Sequence, residues 1–161
     1  MSRERLEKSV MLRAPLERVW RAISDAGQFG LWFGVRFDAD FAPGATLVGR
    51  VTPTTVDEAV AKAQKPYEGA PFTILIDRIE PMKAFAFRWH PFALDPAVDY
   101  DQEPMTLVTF ELFETDGGVL LVISESGFEQ IDPGRRDTAY AANEAGWTAQ
   151  TKLIAKYLAV G

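Results

Sequence analysis

The chain has 161 residues, is 47% hydrophobic and 25% charged, and carries a formal net charge of -6. That composition excludes wholesale disorder, and the acidic balance, with no basic stripe, excludes the electrostatics of nucleic-acid binding and of docking on anionic membranes. There is no cysteine and a single histidine, so disulfides, thiol nucleophiles, thiolate metal sites and any site needing two imidazoles are excluded as well.

The length predicts one domain over residues 1–161. Arg3, Glu4, Arg5, Glu7 and Lys8 within the first ten residues are not the pattern of a signal peptide. No apolar run reaches the ~18 residues that a membrane span requires. A cytoplasmic location, without a cofactor or a metal, is the expectation.

In chain order, Leu6 to Arg13 alternates as a strand, with Leu6, Lys8, Val10 and Leu12 on one face. Pro15 suits a first helical turn, and Leu16, Val19, Trp20 and Ile23 then repeat at helical spacing. That helix is expected to end near Asp25-Ala26-Gly27, and a second short one to run from Gln28 to Gly34. Trp20, surrounded by the apolar positions of its own helix, is expected in the core. Phe37 to Phe41 alternates as a strand, Pro43-Gly44 turns, and Ala45 to Val51 returns. Thr55 with Glu58 reads as a capping box that starts a helix over Val56 to Gln64. Residues 53–70 are then a rim insertion bearing a short helix.

Phe72 to Ile79 is a strand ended by Glu80-Pro81. Ala84 to His90 is the next, with Phe85, Phe87 and Trp89 on one face and Ala86, Arg88 and His90 on the other. Pro91 to Pro104 is an acidic loop. Thr106 to Phe113 and Val119 to Ser126 are strands joined through Asp116-Gly117-Gly118. Asp132-Pro133 starts a helix that runs to about Ala159, with Tyr140, Asn143, Trp147, Thr151, Ile154 and Leu158 on one stripe. One strand, two short helices, a run of strands joined mostly by tight turns and a long last helix make an α+β architecture. The economical arrangement is a curved antiparallel sheet of six to seven strands gripping the last helix.

The strand followed by Ala14-Pro15-Leu16-Glu17-Arg18-Val19-Trp20 resembles the opening of START-like (SRPBCC, Bet v-type) helix-grip domains. Leu31-Trp32-Phe33-Gly34, the Pro43-Gly44 hairpin, Ile79-Glu80-Pro81 with Phe85-Ala-Phe87-Arg-Trp89, Glu125-Ser126-Gly127-Phe128 and Gly146-Trp147 are similar to the branch named for the activator of the heat-shock-protein ATPase. The resemblance spans about residues 5 to 159, with Pro53–Ala70 and Pro91–Pro104 long for the family. It implies a cavity between sheet and last helix. Relatives bind sterols, lipids, polyketides or other apolar molecules there, some act as cyclases or dehydratases, and others as co-chaperones.

Trp32, Trp89, Tyr140 and Trp147 are the candidate cavity walls, with Trp32 near the entrance on a segment that Gly30 and Gly34 would let move as a lid. Each of these aromatics, taken alone, also fits plain core filling. Thr151 is the small inward position expected to border the cavity. Asn143 fits either a ligand carbonyl or a buried neighbour such as Glu125. Glu125 shares a strand face with Val119, Leu121 and Ile123, which would aim a carboxylate at the cavity as a weak catalytic candidate. Its place at a strand end argues instead for solvent. His90 is expected on the outer face, and Arg88 is expected to pair with Glu111. Asp95, Asp99, Asp101 and Glu103 lack the spacing and glycine of a calcium loop and read as solvated. Gly27, Gly30 and Gly34 match no nucleotide-binding fingerprint.

Three functions compete. The first is binding of an apolar lipid, polyketide or aromatic metabolite. The second is an enzyme of cyclase or hydrolase type using Glu125 with Tyr140 or Asn143. The third is a co-chaperone-like module with a protein partner, or a homodimer.

Overall fold

The computed structural model describes residues 5–92 and 99–159, with Asp101 described by its backbone alone. Seven antiparallel strands form one open, curved sheet around a long C-terminal helix, and two short helices follow the first strand. The strands are β1 (Arg5–Leu12), β2 (Val35–Phe37), β3 (Thr46–Val51), β4 (Pro71–Glu80), β5 (Ala84–Trp89), β6 (Thr106–Thr115) and β7 (Gly118–Ser126). The helices are α1 (Leu16–Ser24), α2 (Ala26–Phe33), α3 (Glu58–Gln64) and α4 (Pro133–Ala159). The spatial order is β1-β7-β6-β5-β4-β3-β2, so the first strand closes against the last. Among the described residues no helix is long and apolar enough to cross a membrane.

Alternation carries through to burial. In β6, Thr106, Val108, Phe110 and Leu112 are buried, and in β7 so are Val119, Leu121, Ile123 and Glu125. These faces meet Trp147, Leu153, Ile154 and Leu158 of α4 and Val19, Trp20, Ile23, Phe29 and Trp32 of α1 and α2 in one core. The two short helices abut: Asp25 ends α1, and its side chain accepts the Gln28 N–H at 2.9 Å to cap α2. Gly34 ends α2 at φ 96, a left-handed backbone that suits glycine. A Cβ there would also meet the Gln64 side-chain amide at 2.3 Å, and one at Gly30 would meet the Val35 carbonyl oxygen at 2.1 Å. These two glycines serve a helix end and a close backbone approach.

Two sequence expectations for elements are corrected. The strand expected through Phe41 ends at Phe37, because the Asp38 carboxylate takes the Val48 N–H at 3.2 Å in place of a continuing ladder. The helix expected from Val56 starts at Glu58 instead. Its cap is Asp57, whose side chain accepts the Val60 N–H at 3.0 Å; aspartate is the stronger N-cap, and Thr55 plays no such part. Gln64 at the end of α3 then ties residues 53–70 to α2. Its Oε1 accepts from the Thr54 N–H at 2.8 Å and its Nε2 donates to the Phe33 carbonyl at 3.0 Å.

A candidate ligand cavity walled by two tryptophans

Three elements converge at one end of the sheet. β5 delivers Trp89 on its inward face. α4 delivers Asn143, Gly146, Trp147 and Gln150, a spacing that keeps them on one side of the helix. The end of α2 delivers Phe33, half buried, with its ring centroid 5.9 Å from Trp147 and 6.2 Å from Trp89. The two indoles lie 5.7 Å apart at 34°, and Phe72 of β4 stands edge-on to Trp89 at 6.3 Å. Beside them is a cavity of about 320 Å³, completed by Val51, His90, Phe92 and Ala142. A second cleft, beside α2 and β2, presents Arg36, Asp38 and Asp40 and carries none of the tryptophans, so the aromatic cavity is the candidate site.

Behind this wall lies Glu125, 0% exposed. Its strand end is not frayed, because β7 sits between β1 and β6, opposite Leu6 and Val108. The expectation of a solvated carboxylate is corrected for that reason. The carboxylate accepts from Trp89 Nε1 at 2.8 Å, Trp147 Nε1 at 2.8 Å, Thr106 Oγ1 at 2.5 Å and Asn143 Nδ2 at 2.9 and 3.0 Å. An acceptor-only group thus meets four neutral donors, the arrangement that makes a buried carboxylate tolerable. Two of those donors are the indoles of the cavity wall, so Glu125 fixes the direction of both rings. Asn143 makes the bond to Glu125 and also borders the cavity.

Of the six residues expected to bind a ligand, Trp89, Asn143 and Trp147 meet at the cavity, and Trp32, Tyr140 and Thr151 do not. Trp32 is 0% exposed, and its Nε1 donates to the Ala22 carbonyl at 2.8 Å; of the three consecutive residues Leu31, Trp32 and Phe33, it is Phe33 that reaches the cavity. Tyr140 packs edge-on against Phe128 at 5.2 Å and donates to the Arg5 carbonyl at 3.2 Å, tying α4 to the start of β1. Thr151 is 9% exposed and donates to the Thr148 carbonyl at 2.8 Å, within its own helix and away from the lining.

His90 is the reverse case. It was expected outside, yet it lines the cavity, because β5 stops at Trp89 and the chain turns at Pro91-Phe92, where alternation no longer sets direction. The turn is held by Arg135 of α4, which donates to the carbonyls of Phe92 (3.0 Å) and Pro91 (2.5 Å) and to Glu103 (2.7 Å). Arg88 pairs with Asp77 at 3.5 Å, not Glu111; the register sets Glu111 against Ala84. Of the acidic loop, Asp95 and the Asp101 side chain lie outside the described residues. Among the described residues no cluster of three or more His, Asp or Glu is placed to hold a metal. Phe33, Phe72, Phe92 and Gln150 escaped sequence reading. Only Gln150, three residues after Trp147 on a helix of known phase, carried a signal that could have found it.

Residues 13–159 match the family described as activator of Hsp90 ATPase homolog 1-like protein. The chain belongs to that family. No functionally curated protein matches it. Among solved structures it is similar to protein MLL2253 from Mesorhizobium loti, at 21% identity and a TM-score of 0.70 over 96% of each chain. It is also similar to a protein from Arthrobacter aurescens, at 16% identity and a TM-score of 0.73, over 98% of this chain and 87% of that one. These two likenesses show the fold. DynU16, a protein in the dynemicin biosynthetic locus, is 25% identical with a TM-score of 0.69, over 98% of this chain and 48% of its own. The chain thus spans about half the length of DynU16.

Proposed function

We propose that this member of the Hsp90-ATPase-activator-like family binds an apolar, aromatic small molecule in the cavity bordered by Trp89 and Trp147. One observation carries the reading. Phe33, Phe72, Trp89 and Trp147 border one cavity of about 320 Å³, and exposed Gly146 of α4 leaves its mouth open, a Cβ built there meeting nothing within 4 Å. A mid-helix glycine costs about 1 kcal/mol relative to alanine, and no close packing here requires it. An open apolar concavity, beside two indoles held by Glu125, fits a ligand surface. The setting of DynU16 in a biosynthetic locus suits a small-molecule ligand as well.

Binding is favoured over an enzymatic role for Glu125. Its oxygens already accept from four donors and it does not line the cavity. A proton-transferring carboxylate needs a reachable oxygen.

The test is a titration with naphthalene followed by NMR of the indole N–H groups. The Trp89 and Trp147 signals should shift together, while those of Trp20 and Trp32 in the core stay fixed. No shift at Trp89 and Trp147 at saturating naphthalene refutes the reading.

A further inference from the structure

The cavity wall is apolar except for a few side chains, and two of these have an atom buried without a partner. Gln150 Oε1 and His90 Nδ1 make no hydrogen bond among the described residues, although both side chains line the cavity. The Gln150 amide is not free to turn. Its Nε2 donates to the Phe33 carbonyl at 3.1 Å, which leaves Oε1 as an unmet acceptor. A buried acceptor without a donor is costly, and it rewards whatever supplies one.

We propose that the ligand is a neutral aromatic molecule bearing a hydroxyl group, which donates its hydrogen to Gln150 Oε1. This rests on the reading of the cavity as a ligand site and adds the polar half of the ligand. A hydroxyl is chosen because it both donates and accepts. It satisfies Gln150 Oε1, which only accepts, and its oxygen remains free to accept from His90 when Nδ1 carries the proton. Neutrality follows from the lining: among the described residues, no Asp, Glu, Lys or Arg borders the cavity. A charged ligand would lose water and gain no counter-ion. The buried carboxylate of Glu125, behind the indoles, further opposes an anion.

Three probes of one shape test this: 2-naphthol, 2-methylnaphthalene and 2-naphthoate, each titrated into the intact protein with the Trp89 and Trp147 indole signals as readout. 2-Naphthol should bind about tenfold more tightly than 2-methylnaphthalene, the usual worth of satisfying one buried acceptor. 2-Naphthoate should be the weakest. Gln150→Leu should erase the preference, bringing 2-naphthol and 2-methylnaphthalene to equal affinity. That variant keeps the Phe33 carbonyl satisfied, because Gln64 Nε2 still donates to it at 3.0 Å. Should Gln150→Leu fail to fold, His90→Phe replaces it and should narrow the same preference. Equal binding of 2-naphthol and 2-methylnaphthalene, or a preference that survives the substitution, overturns the hydroxyl assignment while the cavity reading stands. Tightest binding of 2-naphthoate overturns neutrality. If no probe moves either indole, both readings fall together.

Discussion

Replacement of Gly146 separates stability from binding, since the two should move in opposite directions. The glycine lies within the 27-residue helix α4, and a Cβ there would meet nothing within 4 Å. Gly146→Ala should therefore recover most of the propensity difference, about 1 kcal/mol. For a chain of this length that raises the melting temperature by about 2–4 °C. Gly146→Leu should recover nearly as much, leucine being a good helix former. Its branched side chain, however, projects into the cavity of about 320 Å³ beside Trp147. Naphthalene affinity should then fall by at least about tenfold, one lost ring contact of ~1.4 kcal/mol being enough. Calorimetric melting and the indole titration on the same two variants give the answer. General unfolding cannot mimic a variant that melts higher and binds less. A loss of stability of about 1 kcal/mol or more in Gly146→Leu would show that the space is not free. Undiminished naphthalene binding would show that the ligand sits elsewhere.

Three further predictions concern stability. Trp20, 8% exposed within the α1 core face, should cost about 3–5 kcal/mol as Trp20→Ala in denaturant unfolding, and an unchanged midpoint would remove it from the core. Glu125→Gln sets an amide N–H2 among four donors; the expected loss is about 2–4 kcal/mol, with broadened Trp89 and Trp147 indole signals, and a neutral result would sink the role of Glu125 as the anchor of both rings. The Val60 backbone N–H, helped by Lys156, holds the Asp57 carboxyl below its ordinary 3.8. A depressed folded value means that the α3 cap contributes fully above the unfolded pKa and is lost as pH falls through the lower folded one. Carboxyl NMR should place the Asp57 titration below 3.8, and Asp57→Asn should erase the acid-side change in the α3 amide signals; a titration at or above 3.8 contradicts the cap.

Much of this architecture is local and so was open to sequence reading. Period-two alternation in β1 and β5 to β7 and the helical stripe from Tyr140 to Leu158 follow from backbone geometry, which repeats whatever lies opposite. Those signals were enough for a curved antiparallel sheet around a last helix, and they put Trp20, Trp89 and Trp147 inward. They could not settle Glu125, because whether a strand end is wet depends on its neighbours, and β7 is flanked by β1 and β6 only once the sheet has assembled. They misdirected His90, since alternation ends where β5 ends and Arg135, 45 positions further along the sequence, holds the turn that follows. They could not divide Trp32 from Phe33, where one ring points to the Ala22 carbonyl and the next to the cavity. Four donors from β5, β6 and α4 meet one carboxylate because the sheet curves around the helix. Hydrogen-bond partners far apart in sequence are selected by the packed fold, and no local period encodes them.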